Sequence, residues 1–392
     1  MKQEIEMNLH QFIPFFKQQE PQILGAIGEL VREETPSSDK ERLDAFVARL
    51  AARFAAAGLE TEIVPSQARG DHLRARFRSA EHVTEQASRP ALVLCHCDTV
   101  WPAGSLETHP FRVDDQGWAY GPGIFDMKSS LALVEYVIRG VRSLNLRLPR
   151  PVTVLATSDE EVGSQTSRAL IEEEAKKAAY VLVLEPPLAG GVLKTTRKGG
   201  SHYALSITGR AAHAGVEPEK GVSAVQELAH QILALHSLTD IDAGTTVNVG
   251  TVAAGTRPNV VAAHAEARVD VRAWTAAEME RIDREVFGLS SCVAGTQIEV
   301  TGGVNRLPLE RTVTGSLFEQ AKAIGHRLGL DLHEGGTGGG SDGNLTGALG
   351  VPTLDGLGIP GDGAHADHEH IEVDKIGERA GLLTALLMAL SP

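Results

Sequence analysis

The sequence has few cysteines and no long apolar run. Its three cysteines, Cys95, Cys97 and Cys292, cannot form a plausible disulfide framework. Cys95 and Cys97 alternate with His96 along a predicted strand, so we expect both to point away from His96 into the core, with a C-x-C zinc site as the lesser alternative. No apolar stretch approaches the length of a membrane-spanning helix, and residues 1–6 lack the apolar core of a signal peptide. We therefore expect a reducing, cytoplasmic setting and no membrane partner.

Basic residues are fewer than acidic ones: the sequence has 37 lysines and arginines and 51 aspartates and glutamates, which gives a net charge of −14 at pH 7. Nucleic acids and anionic membranes recruit basic surfaces, so this balance argues against both as partners. The carboxylate excess suits hard cations, although it serves solubility equally well. The apolar fraction of 42% is ordinary for a globular protein, and 392 residues exceed one ordinary compact core. We therefore expect two domains.

Residues 92–100 (Leu-Val-Leu-Cys-His-Cys-Asp-Thr-Val) are the stretch around which the predicted chemistry is organised. They form an apolar strand that ends in His96 and Asp98, and both side chains leave the strand on the same side. A histidine at a strand end with a carboxylate in reach is typical of a metal ligand and the group that orients it. An isolated pair of this kind is more often a hydrogen-bonded surface pair, so further ligands are needed.

Strands and helices alternate around this stretch. Buried strands are predicted over residues 91–97, 151–157 and 180–184, with a helix over 127–143 and a second helix that ends near Lys177. This order predicts an α/β fold with a mostly parallel sheet covered by helices. In such sheets the functional groups collect beyond the carboxyl ends of the strands. The candidates at those ends are His96, Asp98, Glu160, Glu161 and Glu185.

The flanking segments extend this first domain. A helix is predicted over residues 22–32, and Ser38 is predicted to cap the next helix. Residues 59–64 and 72–77 are predicted strands of a hairpin or sheet edge, and the polar residues 79–90 are a predicted surface loop.

From residue 196 the pattern changes to the order βαββαβ, which favours a separate α/β sandwich with an antiparallel sheet. We therefore predict an inserted domain over residues 196–305, between the two parts of a catalytic domain, residues 1–195 and 306–392. Loops as long as the one predicted over residues 99–125 are uncommon in a compact domain unless they have a functional role, so we expect this loop to contribute to function.

The candidate metal ligands are numerous and include no thiolate. Histidines and carboxylates without cysteine suit catalytic rather than structural zinc. The carboxylates are too many for one tetrahedral ion, whereas two ions about 3.5–4 Å apart that share one carboxylate would use them all. A Ca²⁺ or Mg²⁺ site is the alternative, and the histidines argue against it. The candidates are His96, Asp126, Glu160, Glu161, Glu185 and one of His365, His368 and His370.

The adjacent Glu160 and Glu161 point in opposite directions in an extended segment, so they cannot share one task there. A turn brings both towards one site, where one binds metal and its neighbour acts as a base. The alternative is a charged helix N-terminus, where acidic side chains are favoured in any case.

Three motifs, in order and on the predicted elements, resemble one enzyme family. They are residues 95–100 (Cys-His-Cys-Asp-Thr-Val), 121–129 (Gly-Pro-Gly-Ile-Phe-Asp-Met-Lys-Ser) and 157–164 (Thr-Ser-Asp-Glu-Glu-Val-Gly-Ser). Together they resemble the co-catalytic zinc peptidases and deacylases of the glutamate carboxypeptidase, acetylornithine deacetylase and succinyl-diaminopimelate desuccinylase type. The glutamate at position 185 resembles the corresponding ligand of the glutamate carboxypeptidase branch, because other branches often have aspartate at that position.

The resemblance implies a role for each candidate. Asp98 orients His96, and Glu160 is the general base. Co²⁺ or Mn²⁺ are alternative metals. The implied ligands are His96, Glu185 and bridging Asp126 for one zinc ion, and Glu161, His365 and the same Asp126 for the other.

The last histidine is chosen by a family pattern, H-x-x-x-E. His365 stands four residues before Glu369, which favours it over His368 and His370. In the family, the peptide bond after the bridging aspartate is often cis, and here that bond joins Asp126 to Met127.

The predicted inserted domain also resembles the family's lid. Residues 209–215 (Gly-Arg-Ala-Ala-His-Ala-Gly) resemble a motif whose histidine reaches the partner subunit's active site and stabilises the oxyanion. The resemblance therefore implies a homodimer formed through the inserted domain, with His213 in that role. Without this context, a histidine satisfied within its own turn is the better interpretation of His213.

Residues 255–261 and 268–272 resemble the lid strands, which implies that Asn259 and Arg272 lie near the substrate. Arg306 aligns with a carboxylate-binding arginine of the carboxypeptidase branch, and a guanidinium fork suits a free α-carboxylate. For Arg272, an ion pair on the strand face is an equally good interpretation.

We therefore predict a zinc-dependent metallohydrolase that cleaves an amide bond next to a free carboxylate in a small peptide or N-acyl amino acid. A glutamate carboxypeptidase-like exopeptidase is the first candidate. An N-acyl-amino-acid deacylase or a dipeptidase is the alternative, because each releases an amino acid. A non-catalytic metal-dependent binding protein is a remote alternative, and the Glu160–Glu161 pair argues against it because a binding protein needs no base.

Overall fold

The computed structural model describes residues 2–78 and 89–391, so most of the surface loop predicted over 79–90 lies outside the described residues. Among the described residues, no helix combines the length and the apolar character that a bilayer span requires. The chain forms two compact units. The first consists of Met1–Thr195, Arg311–Thr337 and Ser341–Pro392, and the second of Thr196–Glu310 and Gly338–Gly340.

The elements follow one another in chain order. Up to the second unit they are α1 (Lys2–Lys17), α2 (Glu20–Val31), α3 (Lys40–Ala57), β1 (Glu60–Val64), β2 (His72–Phe77), β3 (Ala91–His96), β4 (Arg112–Val113), β5 (Trp118–Tyr120), α4 (Ser129–Ser143), β6 (Val152–Thr157), α5 (Arg168–Lys177), β7 (Tyr180–Val183) and β8 (Leu193–Arg197). The rest are β9 (Gly199–Thr208), α6 (Ala224–Ser237), β10 (Thr246–Ala254), β11 (His264–Ala273), α7 (Ala276–Phe287), β12 (Gln297–Arg306), α8 (Arg311–Arg327), β13 (Glu334–Thr337), α9 (Asp342–Ala348), β14 (Thr353–Leu354), β15 (Gly361–Asp362), β16 (His370–Glu372) and α10 (Ile376–Ala389).

A six-stranded sheet with the order β1-β2-β6-β3-β7-β14 is the centre of the first unit. β6, β3, β7 and β14 run parallel, whereas β1 and β2 pair antiparallel at one edge. The mostly parallel sheet and the antiparallel edge pair are both as predicted. Parallel strands need crossover connections, and here α4 and α5 provide two of them.

β3 is apolar up to its last residue, His96, because both faces of the sheet are covered. Ala91, Val93 and Cys95 pack into a core with α1–α4, α8 and α10, whereas Leu92 and Leu94 pack into a second core with α5 and α9. Because both faces of β3 pack against apolar side chains, its polar functional group, His96, stands at the carboxyl end of the strand.

The two cysteines of this region pack as core residues, as predicted. Cys95 and Cys97 both belong to the larger core, and the Cys97 thiol donates to the carbonyl of Thr157 at 3.1 Å. Burial raises the pKa of both thiols, so they stay protonated and give no support to a C-x-C zinc site.

The second unit has the predicted order βαββαβ, as β9-α6-β10-β11-α7-β12. Its antiparallel sheet has the strand order β10-β11-β9-β12. Burial alternates along β9 and β11, because one face of the sheet packs on α6 and α7 and the other is more exposed. The unit therefore has a hydrophobic core of its own.

Some predicted boundaries were wrong. Asp39 caps α3 instead of Ser38, because the Asp39 carboxylate accepts the Arg42 backbone N–H at 3.1 Å. The helix predicted to begin at Met127 begins at Ser129, since Asp126 and Met127 have non-helical dihedral angles. The strand predicted over residues 259–273 begins at His264. Helix α1 was not predicted.

Candidate metal centre

The carboxyl ends of parallel strands bring several predicted ligands to one edge of the central sheet. His96 is the last residue of β3 and pairs in register with Thr157, the last residue of β6. Glu160 and Glu161 follow β6 in a short 3₁₀ turn, and Glu185 follows β7. Neighbouring parallel strands end at the same edge, so their following residues meet there.

The Nε2 atom of His96 faces two carboxylates. Its Nε2 lies 2.9 Å from Asp126 Oδ1 and 3.6 Å from Glu185 Oε1, and the imidazole is almost completely buried. The loop that carries Asp126 turns at Gly123, whose φ of +69° lies in the left-handed region. A side chain at Gly123 would also collide with Thr99, so glycine is required for this approach.

The second oxygen of Asp126 faces a different histidine. Asp126 Oδ2 lies 3.5 Å from His365 Nε2, which is also 3.2 Å from Glu161 Oε2. The peptide bond between Asp126 and Met127 is cis. Asp126 therefore lies between two histidine–glutamate pairs, and a carboxylate shared by two ions requires this arrangement.

The other two histidines of the loop have different surroundings. His370 stacks on Trp118 with ring centroids 4.5 Å apart, and its Nδ1 lies 2.8 Å from the carbonyl of His368. His368 is exposed. His365 is instead the histidine of this loop whose Nε2 lies near Asp126 and Glu161.

Asp98 supports the site in more ways than predicted. Its carboxylate lies 3.5 Å from His96 Nδ1, whereas its backbone carbonyl lies closer to the same nitrogen, at 2.9 Å. The carboxylate also accepts the backbone N–H groups of Glu160 and Glu161, each at 3.2 Å. The backbone carbonyl of Asp98 is therefore the group that contacts the imidazole most closely, whereas its carboxylate fixes the turn that carries both glutamates.

Ser37 is a member of this network that the sequence did not reveal. Its hydroxyl donates to Asp98 Oδ2 at 2.7 Å, and both residues are buried. The contact joins positions 61 residues apart, so no local sequence pattern indicates it.

Burial and mutual contact shift the pKa values of the cluster. Hydrogen bonds to Asp126 and Glu161 raise the pKa of His365 to about 10. Burial lowers the pKa of His96, but its hydrogen bonds to Asp126 and Asp98 raise it well above the usual value. Burial raises the pKa of Asp126, but the two histidines more than offset this effect and lower it.

Divalent cations fit these residues. Burial raises the pKa of Glu161, and among the described residues its Oε1 has no hydrogen-bond partner although it is buried. A buried carboxylate oxygen without a partner is costly unless a cation binds it. The donors are nitrogen and oxygen only, which suits zinc, cobalt or manganese. In the part of the chain that the structure describes, two groups have ligand atoms within 4.8 Å of one another: His96, Asp126 and Glu161, and His96, Glu160 and Glu185.

The remaining predicted site residues lie in the second unit. The His213 segment pairs with the Asn259 segment, because the backbone N–H of Ala214 donates to the Asn259 carbonyl at 3.0 Å. His213 Nδ1 accepts the backbone N–H of Gly215 at 3.2 Å, so the histidine is also satisfied within its own turn.

Arg272 forms the strand-face ion pair that was its alternative interpretation. Its Nε and Nη2 lie 3.0 Å and 2.9 Å from the two carboxylate oxygens of Asp270. Arg306 is the last residue of β12 and is mostly buried.

Comparison with known proteins identifies the family. The model of the peptidase family M20/M25/M40 matches residues 92–389, more than half of the chain. The chain belongs to this family. The three motifs that suggested the resemblance, at residues 95–100, 121–129 and 157–164, all lie in the matched region.

Individual M20/M25/M40 relatives match over most of their length. Carboxypeptidase G2 of Pseudomonas sp. (strain RS-16) is 30% identical over 383 residues, which cover 95% of this chain and 90% of that protein. Acetylornithine deacetylase of Pasteurella multocida (strain Pm70) is 29% identical over 276 residues, which cover 64% of this chain and 68% of that protein. The crystal structure of aminopeptidase PepT from Bacillus cereus ATCC 10987 has the same fold, with a TM-score of 0.78 and 23% identity over 94% of this chain and 98% of that chain.

The family resemblance drawn from the sequence is thus confirmed. The chain is a metal-dependent hydrolase of the peptidase and amidohydrolase class. The remote alternative, a non-catalytic binding protein, has no support among these relatives.

Proposed function

We propose that the protein is a two-zinc exopeptidase of the glutamate carboxypeptidase type, which hydrolyses the amide bond next to a free α-carboxylate. The observation that carries this proposal is the position of Asp126, with one oxygen 2.9 Å from His96 and the other 3.5 Å from His365. The 30% identity to carboxypeptidase G2 over 95% of the chain supports the carboxypeptidase branch, as does glutamate rather than aspartate at Glu185.

Each ion has three protein ligands in this proposal. When bound, the two ions supply Lewis acidity that activates a water molecule and polarises the scissile carbonyl. Cobalt or manganese would suit the same donors. The ligands are His96, Glu185 and Asp126 for one ion, and Glu161, His365 and the same Asp126 for the other.

Glu160 is the proposed general base. The bond between its backbone amide and Asp98 fixes its place in the turn, and its carboxylate lies within 4.8 Å of ligand atoms of His96 and Glu185. A Glu160 carboxylate oxygen takes a proton from the attacking water and later donates it to the leaving amine.

The second unit supplies a candidate site for the substrate carboxylate. Arg272 on β11 and Arg306 on β12 are both direct cross-strand partners of Gly200 on β9. Directly opposed residues point to the same face of a sheet, so the two arginines share one row. The Arg272 guanidinium leans over Gly200, where an added Cβ would lie 3.1 Å from Nη1. Two guanidinium groups in one row suit an α-carboxylate, and we place Asn259 near the same substrate.

We also propose a homodimer formed through the second unit, in which the partner subunit's His213 donates to the oxyanion of the substrate. Because Nδ1 accepts the Gly215 N–H, the ring proton of His213 lies on Nε2, and the side chain is exposed. An exposed Nε2–H is a suitable donor to an oxyanion. A cytoplasmic setting is supported by the three cysteines, which are all free thiols.

The second candidate is an N-acyl-amino-acid deacylase. The similarity to acetylornithine deacetylase favours it, and the same carboxylate row would bind the amino-acid part of such a substrate. A dipeptidase would use the same row as well.

A substrate panel tests the proposal. Zinc-loaded protein is incubated with N-benzoyl-L-glutamate, N-acetyl amino acids, including N-acetylornithine, and dipeptides, and released amino acid is quantified by chromatography. We expect the largest kcat/KM for the benzoyl amide of glutamate. Preference for the acetyl series would favour the deacylase, and no release from any member by fully metal-loaded protein would overturn the proposal.

A variant at the carboxylate row separates substrate binding from metal chemistry. Arg306→Met removes one guanidinium from the row and leaves every proposed metal ligand in place. We expect a KM raised by about tenfold or more for carboxylate substrates, with unchanged zinc content. An unchanged KM would remove Arg306 from the proposed site.

A further inference from the structure

Glu369 is a buried carboxylate that accepts four N–H groups. Its Oε1 accepts the backbone N–H groups of Phe125 at 2.9 Å and Asp126 at 3.0 Å. Its Oε2 accepts the backbone N–H of Gly123 at 2.9 Å and the indole N–H of Trp101 at 2.6 Å. Only 2% of its surface is exposed.

All four partners of Glu369 are donors only, which restricts the group that can stand there. A carboxylate offers lone pairs on both oxygens and satisfies all of them at once. An amide of the same shape presents an NH₂ group to two of the four donors, so donor faces donor and two buried N–H groups lose their acceptor. The pocket is therefore selective for a carboxylate over its closest isostere.

Through these four hydrogen bonds, Glu369 connects segments that lie far apart in the chain. Three belong to the loop that ends at Asp126, and Trp101 belongs to the segment that follows β3. Glu369 itself lies four residues after His365, in the same loop. The carboxylate thus ties the backbone that presents Asp126 to the segment that presents His365.

We propose that Glu369 is a positioning residue that holds the Asp126 backbone in place relative to His365 and so sets the geometry of the shared carboxylate. This inference rests on the proposed two-metal centre. Glu369 makes no contact with the substrate in this role, and its carboxylate acts on the centre only through the backbone N–H of Asp126 and its neighbours. Its loss should therefore alter metal retention and turnover more than substrate binding.

The variant Glu369→Gln tests this role against the matched control Glu378→Gln. Glu378 lies nearby in sequence, in α10, where its carboxylate contacts Lys375 at 3.3 Å and no predicted ligand. Three readouts are compared in the full-length proteins: the rate of zinc release to a colorimetric chelator, the visible absorption spectrum after Co²⁺ substitution, and kcat and KM at saturating zinc with the best-cleaved amide of the panel.

We expect Glu369→Gln to release zinc about 10- to 100-fold faster and to lower kcat by a similar factor, with KM within about threefold of the parent. Its Co²⁺ spectrum should shift, because the ligand geometry at Asp126 changes, whereas Glu378→Gln should match the parent in all three readouts. Zinc release, spectrum and kcat equal to the parent in Glu369→Gln would overturn the proposal.

A second variant separates a folding defect from a change in the geometry of the centre. Glu369→Asp keeps the charge but shortens the reach, and its melting curve and Co²⁺ spectrum should lie between those of the parent and Glu369→Gln. If both variants fail to fold, Glu369 serves stability alone and the positioning role is wrong. If the parent protein itself binds no zinc or hydrolyses no amide, the proposed function fails first, and that outcome is seen without any variant.

Discussion

Glu160 and Glu161 are neighbours in one turn, yet their side chains have different surroundings. Glu161 lies 3.2 Å from His365 and has one buried oxygen without a partner among the described residues, whereas Glu160 lies in one cluster with His96 and Glu185. The same substitution at the two adjacent positions should therefore separate the proposed base, Glu160, from the proposed metal ligand, Glu161.

The change of Glu160 to glutamine is expected to lower kcat by about 10²- to 10⁴-fold, because the proton acceptor is lost while the ligands remain. Glu161→Gln should instead lower the zinc content, since a neutral amide oxygen is a poorer ligand than a carboxylate. Zinc content by atomic emission and kcat at saturating zinc measure both effects. Substantial turnover by a metal-loaded Glu160→Gln protein would show that Glu160 is not the base.

At the scale of secondary-structure elements, the start of α3 depends on one side chain. Asp39 accepts the Arg42 N–H, whereas the adjacent Ser38 is exposed and lies outside the helix. We expect Asp39→Ala to lower the free energy of unfolding by about 1 kcal/mol, and Ser38→Ala to change it by less than about 0.5 kcal/mol. Urea unfolding of the two variants provides the comparison. A larger effect at Ser38 would restore the cap that the sequence predicted.

Elements were predictable from the sequence where the local pattern agreed with the tertiary packing. β3, β6 and β7 are mostly apolar and buried along their whole length, and histidine or acidic residues stand at or just after their carboxyl ends. Helix α1 was missed although Leu9, Phe12 and Phe16 have helical spacing and are buried in the main core, because Pro14 stands among them. Its stability comes from packing, which a local pattern does not contain.

The candidate site was predictable to the extent that its groups lie at strand ends or in recognisable motifs. His96, Asp126 and Glu161 meet in the structure as the motifs suggested. The hydroxyl of Ser37 and the carboxylate of Glu369 contact this cluster from distant segments. Ser37 has no local signature of such a role, and Glu369 stood out only as the glutamate of the H-x-x-x-E pattern that selected His365. Such contacts depend on how loops meet, which the spacing of residues alone does not specify.

β2 is joined to the segment after β6 by a neutral histidine. The Ser158 N–H donates to His72 Nδ1 at 3.2 Å, so the ring proton lies on Nε2, 3.1 Å from Thr166 Oγ1. Burial lowers the pKa of His72, although Asp159 and other carboxylates act in the opposite direction. Protonation in the folded state would also remove the acceptor for the Ser158 N–H.

Stability should therefore depend on pH through His72. Above the unfolded-state pKa of about 6.5, the residue is neutral in both states and contributes no pH dependence. As the pH falls below that value, the unfolded chain binds the proton first, so the free energy of unfolding falls by at most about 1.4 kcal/mol per pH unit.

Urea unfolding of the parent and of His72→Gln at about pH 8 and about pH 5.5 measures this contribution. The parent should lose more stability than the variant between the two pH values. An equal loss in both proteins would assign the acid sensitivity to other groups.

At the scale of the whole molecule, the two units have separate hydrophobic cores. The proposed metal ligands all belong to the first unit, whereas the second unit has a core of its own, formed by residues of β9–β12, α6 and α7. The first unit is assembled from three segments, and its ligand-bearing loops join elements from two of them. A ligand that binds these loops should stabilise that unit alone.

Removal of the metal should therefore lower the stability of the first unit and leave that of the second unit unchanged. Zinc bound only to the folded site stabilises it by about 2.7 kcal/mol when the free ion is at a hundred times its Kd. After chelation, we expect faster hydrogen exchange in peptides that contain Asp126, Glu161 and His365, because these backbone segments lose the ion that holds their side chains together. Peptides from β9–β12 should exchange at the same rate with and without zinc. Mass spectrometry of zinc-loaded, chelated and zinc-restored protein resolves the two units, and uniform acceleration throughout the chain would show that they unfold as one.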